Sequence, residues 1–158
     1  MTKTTEDWRQ AAEKAFKTGK MANTLAKALA KRYSKRWQFV DFLGPKGRES
    51  AGVVDIVAIR KCGKQPTLPG LLRLDLFDII LMQVKGGRAA KPTTEDIKRL
   101  KIVSKQYHAQ NIVLFEWQDK KKVGFQELDK YGKWKETSAE EALHQGQAGT
   151  GLSLLCSI

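Results

Sequence analysis

Early in the chain the apolar positions recur at helical spacing. Trp8, Ala11, Ala12, Ala15 and Phe16 share one face of a helix that Thr4-x-x-Asp7 is suited to cap. Met21, Leu25 and Leu29 continue the spacing beyond Gly19, which either breaks that helix or merely weakens it. The period then shortens to that of strands. Trp37 to Leu43 alternates, Gly44 to Arg48 is rich in turn residues, and Gly52 to Ile59 is a β-branched apolar run with one carboxylate, Asp55, inside it. A loop over Cys62 to Gly70 precedes another strand, Leu76 to Lys85, which stops at Gly86-Gly87. Thr93-x-x-Asp96 then opens a helix whose buried stripe is expected to be Ile97, Leu100, Val103 and Tyr107. Asn111 to Trp117 is a third apolar strand, Lys121 to Trp134 a hairpin turning near Asp129 to Gly132, and Thr137 to His144 a short last helix.

The coarse order is α, β, β, β, α, β with a small β-hairpin extension. That order predicts an α/β fold on a mixed central sheet flanked by helices. Residues 1–137 are expected to form one domain and 138–158 a C-terminal helix and a tail without assignment.

Charge changes this picture more than length does. The 158 residues carry 29 Lys+Arg against 17 Asp+Glu, a net of +12, and 41% are hydrophobic, enough for a real core. Such an excess suits a partner with regular negative charge, because neutralising phosphates releases condensed counterions. Nucleic acid is the first candidate and an anionic membrane surface the second; basic ribosome-associated or merely soluble proteins look the same. From Lys14 to Arg36 there is no acidic residue, whereas a face built for solubility mixes both signs. Cys62 and Cys156 have no spacing that suggests zinc or a disulfide framework, no apolar run is long enough to span a bilayer, and the N-terminus lacks a signal-peptide core. A cytoplasmic protein is expected.

Asp55 is the informative acid. A lone buried carboxylate costs several kcal/mol unless it is paired, protonated or metal-bound. Alternate strand residues share a face, so Gln83 and Lys85 project to one side, and they meet Asp55 if the two strands are neighbours. A carboxylate and an amide carbonyl are hard ligands suited to Mg²⁺, and a lysine beside them suits the phosphodiester or its attacking water. The bland alternatives are a structural Asp55–Lys85 ion pair, a satisfied core amide at Gln83 and a Lys85 that snorkels from the strand end. Asp78 falls on the opposite strand face and is read as non-catalytic, and His108 and His144 as structural or surface residues. Lys46, Arg48, Arg88 and Lys91 lie in loops flanking the trio and are candidate phosphate contacts.

Gly52-Val53-Val54-Asp55-Ile56-Val57-Ala58-Ile59, followed by Ile79-Ile80-Leu81-Met82-Gln83-Val84-Lys85-Gly86, resembles the signature of the PD-(D/E)xK nuclease superfamily. Its QxK form looks most like the Mrr-type, VRR-NUC-type and Holliday-junction-resolvase branches. The resemblance implies the restriction-endonuclease-like αβββαβ core, with Asp55 and Gln83 binding Mg²⁺ (or Mn²⁺) and Lys85 serving the attacking water. It further implies a structure-selective DNA endonuclease, with RNA not excluded as substrate, acting as a homodimer. The chain departs from the pattern at Val54, which replaces the proline, and at the first-helix glutamate that many members use to complete the metal site. Asn23 stands near that position, Glu13 lies upstream, and Glu49 precedes Asp55 in its loop; all three remain open. Two rivals stand beside the nuclease: a catalytically degenerate nucleic-acid-binding module, and a basic structural protein in which Asp55, Gln83 and Lys85 do not meet.

Overall fold

The computed structural model describes residues 4–33, 36–42, 53–118 and 122–144. The chain runs α1 (Thr5–Tyr33), β1 (Gln38–Asp41), β2 (Ile56–Lys61), β3 (Phe77–Gly86), α2 (Thr94–Gln106), β4 (Asn111–Gln118), β5 (Lys122–Leu128), β6 (Trp134–Thr137) and α3 (Ala139–His144). The strands form one six-stranded sheet in sequential order. Neighbours are antiparallel except β3 and β4, which run parallel. Parallel neighbours need a crossover, and α2 supplies it.

Caps read from the sequence are realised at both long helices. Thr4 Oγ1 accepts from the Asp7 N–H (3.3 Å) while Asp7 Oδ2 accepts from the Thr4 N–H (2.9 Å). Thr93 and Asp96 make the same reciprocal pair at α2. Gly19 does not break α1, which continues as one helix of 29 residues. A mid-helix glycine costs only about 1 kcal/mol relative to alanine, and docking of the C-terminal half offsets it. Ala22, Ala26 and Ala30 are fully buried there, small enough to let the helix lie close on the sheet. The expected N-terminal stripe does not bury: every residue from 4 to 17 is exposed, with Trp8 at 63% and Phe16 at 67%.

Strand alternation divides the core into two. Ile56, Ala58, Ile80, Met82, Val113 and Phe115 pack on the face covered by α1 and α3, with Ala26, Ala30 and Leu143. Val57, Leu81 and Ile112 pack on the other face, against Leu100 of α2. Ile97 and Val103 flank Leu100 as the stripe predicts, but Tyr107 is 57% exposed because it is the C-cap, past the last helical turn. Asp78 lies on the α1 face and is bonded to Arg60 (2.8 Å) and Gln110, away from Gln83 as its parity requires. Among the described residues no helix is long and apolar enough to cross a membrane.

Gly86 and Gly87 end β3 beneath α1. A Cβ on Gly86 would stand 2.9 Å from the Ala22 Cβ and 3.1 Å from the Thr18 carbonyl oxygen, and Gly87 has φ +67. Only glycine lets the helix cross this close. Gly86→Ala is therefore expected to lower stability by about 1–3 kcal/mol through overpacking. Gly19→Ala, with open space around it, should raise stability by about 0.5–1 kcal/mol. Urea denaturation of the two variants checks both signs.

Candidate functional site

Asp55 stands one residue before β2, a correction to its expected place inside a strand. Its main chain still bridges two neighbours: its N–H donates to the Met82 carbonyl (3.0 Å), and its carbonyl accepts from the Phe42 N–H (2.9 Å). The reason the ladder stops lies in the side chain. Asp55 Oδ2 accepts from the Val84 N–H at 2.7 Å, so that donor is not available to β2. The carboxylate is thereby tied to the strand segment between Gln83 and Lys85.

Gln83 and Lys85 alternate with Met82 and Val84, which pack on the α1 face, and so point to the α2 face. Continuing the β2–β3 register past Ile56↔Met82 sets Asp55 opposite Gln83. Gln83 is 1% exposed, Lys85 half-buried. Burial raises the Asp55 carboxyl above the usual carboxylate range, against the opposing pull of the Val84 N–H and the Lys85 ammonium. That direction makes physical sense. One charge-assisted hydrogen bond contributes about 1.5–3 kcal/mol, less than the several kcal/mol that desolvating a carboxylate costs. Lys85 also acts on Asp96 at the start of α2, whose carboxyl is held low first by the Thr93 N–H, then by the Thr93 hydroxyl, with the Lys85 charge a smaller contribution. Asp96 is committed to its cap.

A second buried carboxylate lies on the same face, and sequence reasoning passed over it. Glu116 of β4 is 5% exposed and is the Cα partner of Lys85. Its Oε2 accepts from Gln126 Nε2 of β5 (2.7 Å) and lies 3.7 Å from Lys91 Nζ, which also donates to Gln126 Oε1 (3.2 Å). The signal was available: Glu116 interrupts the apolar run Asn111 to Trp117 just as Asp55 interrupts its own. Lys91 thus holds an interior acid while its own side chain remains half exposed. Arg88 is exposed in the turn after Gly87, at the same end of β3.

The other expected residues are not brought to this cluster. Glu13 is exposed on α1 and pairs with Lys17 at 2.7 Å. Asn23 is buried with Ala22 and Ala26 on α1, across the sheet from Gln83 and Lys85. Lys46, Arg48 and Glu49 lie outside the described residues, as do Cys156 and the tail after His144. Among the described residues, no group of three or more His, Cys, Asp or Glu converges as a metal cage. Asp55 offers a carboxylate and Gln83 an amide oxygen, while Glu116 on the same face is engaged by Gln126 and Lys91. The Asp55 and Gln83 oxygens fit a hard divalent cation that keeps most of its waters, as Mg²⁺ does, and they do not fit zinc. No family model and no curated protein sequence matches this chain.

Because the folded-state pKa of Asp55 is raised, ionisation works against folding. Stability tied to this group is fully present below its unfolded pKa and is lost as pH rises through the folded one. Asp55→Asn keeps an acceptor for the Val84 N–H without the charge. It is expected to melt higher than the unsubstituted protein at about pH 8, the gap closing as pH falls below the unfolded carboxyl's value of about 3.9. Thermal melts across that range in chelator make the test.

Proposed function

We propose that this chain is a Mg²⁺-dependent nuclease that hydrolyses phosphodiester bonds in DNA, on a restriction-endonuclease-like αβββαβ core. What supports the core is the run α1-β1-β2-β3-α2-β4, with an antiparallel β1-β2-β3 meander and a parallel β3–β4 pair joined through α2. The observation that carries the activity is the contact of Asp55 Oδ2 with the Val84 N–H, which sets a desolvated carboxylate between Gln83 and Lys85. A purely structural basic protein has no need to hold a desolvated carboxylate against β3 at this point.

In this reading Asp55 is the charged ligand of the cation and the enclosed Gln83 amide its neutral neighbour. A bound Mg²⁺ would polarise the phosphate and lower the pKa of a water. Lys85 places its ammonium beside the phosphate, where it orients the attacking water and offsets charge growing on the non-bridging oxygens. Water adds to phosphorus as the bond to the leaving sugar oxygen breaks. Lys91, fixed by Glu116 and Gln126, and the exposed Arg88 contribute positive charge along the path of the backbone. A branched substrate bound symmetrically favours a homodimer.

One observation favours a second reading, a nuclease fold that binds nucleic acid without cutting it. Among the described residues no group of three or more His, Cys, Asp or Glu surrounds Asp55, and Glu116 on the same face is already engaged by Gln126 and Lys91. Both readings meet in one assay: end-labelled four-way junction, duplex and single-stranded DNA with Mg²⁺, Mn²⁺ or chelator. Cleavage that needs the metal and falls by about a hundredfold or more in Asp55→Asn and in Lys85→Met is expected. Binding without metal-dependent products selects the second reading, and cleavage untouched by both substitutions overturns this assignment of the site.

A further inference from the structure

A groove of about 330 Å³ opens between α1 and the end of β4, lined by Lys14, Lys17, Met21 and Trp117 among others. It does not contain Asp55 or Lys85. It lies on the α1 face, but at the same end of the sheet, because Trp117 is the Cα partner of Gly86, the residue after Lys85. Trp117 is half-buried: part of its ring packs on the core beneath α1 and part lines the groove. Met21, 59% exposed, supplies further apolar wall, and Lys14 and Lys17 stand exposed on α1. Glu13 also lines the groove and pairs with Lys17, but both are well exposed, so that pair contributes little and yields readily to a phosphate.

We propose that this groove is a subsite for an unpaired nucleotide of the nucleic-acid substrate, its base stacked on Trp117 and its phosphate held by Lys14 and Lys17. The volume is near the lower end of small-molecule sites, about 300 Å³, which suits one base. Aromatic stacking accepts any base, since each has a π-face. Charge selects the occupant: the helix wall carries basic residues and, from Lys14 onward, no acid. Gly86 and Gly87 are covered by Thr18 and Ala22 of α1, so a single strand leaving a duplex at Lys85 rounds the end of the sheet beyond them to reach Trp117, the register partner of Gly86. The inference deepens the nuclease reading by naming junctions between duplex and unpaired strand as the substrate class.

The test is fluorescence anisotropy with Asp55→Asn protein, which binds without cutting, on a blunt duplex and on the same duplex with an unpaired oligo-dT flap. The flap is expected to bind more tightly. Trp117→Leu should weaken flap binding about fivefold or more and leave the blunt duplex unchanged, while Trp117→Phe retains most of the preference. Lys14→Gln with Lys17→Gln, on an exposed helix face where folding is not at stake, should also weaken flap binding selectively and flatten its salt dependence. Equal losses on both DNAs, no loss on either, or equal displacement by polyglutamate overturns the subsite. A protein that never cleaves but shows the Trp117-dependent flap preference keeps this inference and loses the nuclease; cleavage with no flap preference does the reverse.

Discussion

The hydrogen bond from the Val84 N–H to Asp55 Oδ2 joins two otherwise separate roles. It closes the end of the β2–β3 ladder with a side chain in place of a backbone carbonyl, and it holds the carboxylate where the Lys85 charge acts on it. Because the bond recovers less than desolvation costs, the carboxyl keeps a raised pKa and an unfilled demand for positive charge. A group held at such a cost by main-chain geometry is typical of sites where function, rather than stability, sets the residue.

Around that contact the two faces of the sheet divide the work. The α1 face is apolar and closely packed: buried alanines bring the helix down on Ile80, Met82 and Phe115, and Gly86 admits it at the sheet end. The α2 face is apolar under Leu100 and turns polar toward the C-terminal end of β3 and β4, where Gln83, Lys85, Glu116 and Gln126 replace aliphatic residues. This is the region of an open α/β sheet in which ligands bind, outside the carboxyl ends of parallel strands. Glu116 and Gln126, buried, and the half-exposed Lys91 form a bonded network beside the Asp55 cluster. Networks of that kind hold charged side chains in one arrangement.

Much of this was readable along the chain because it is written in local rules. Helical periodicity, the Thr4–Asp7 and Thr93–Asp96 boxes, and the strand period of two identified the elements and put Gln83 and Lys85 on one face. An acid in an apolar run marked Asp55, and the same rule applied evenly would have marked Glu116. Local rules also misled where burial decides. The Trp8 to Phe16 stripe has helical spacing but no sheet beneath it, and Tyr107 has the period of a core residue but falls past the helix end.

The sequence by itself determined the order and type of the elements, the shared face of Gln83 and Lys85, and the strongly basic character of the chain. Tertiary structure alone decided that Asp55 stops β2 by bonding a main-chain donor 29 residues away, that Lys91 is drawn to Gln126 at a separation of 35, and that Asn23 and Glu13 lie apart from the site. The reason is physical. Periodicity and caps act within a few residues, while the pairing of strands and the cost of burying a charge depend on which distant segments the fold brings into contact.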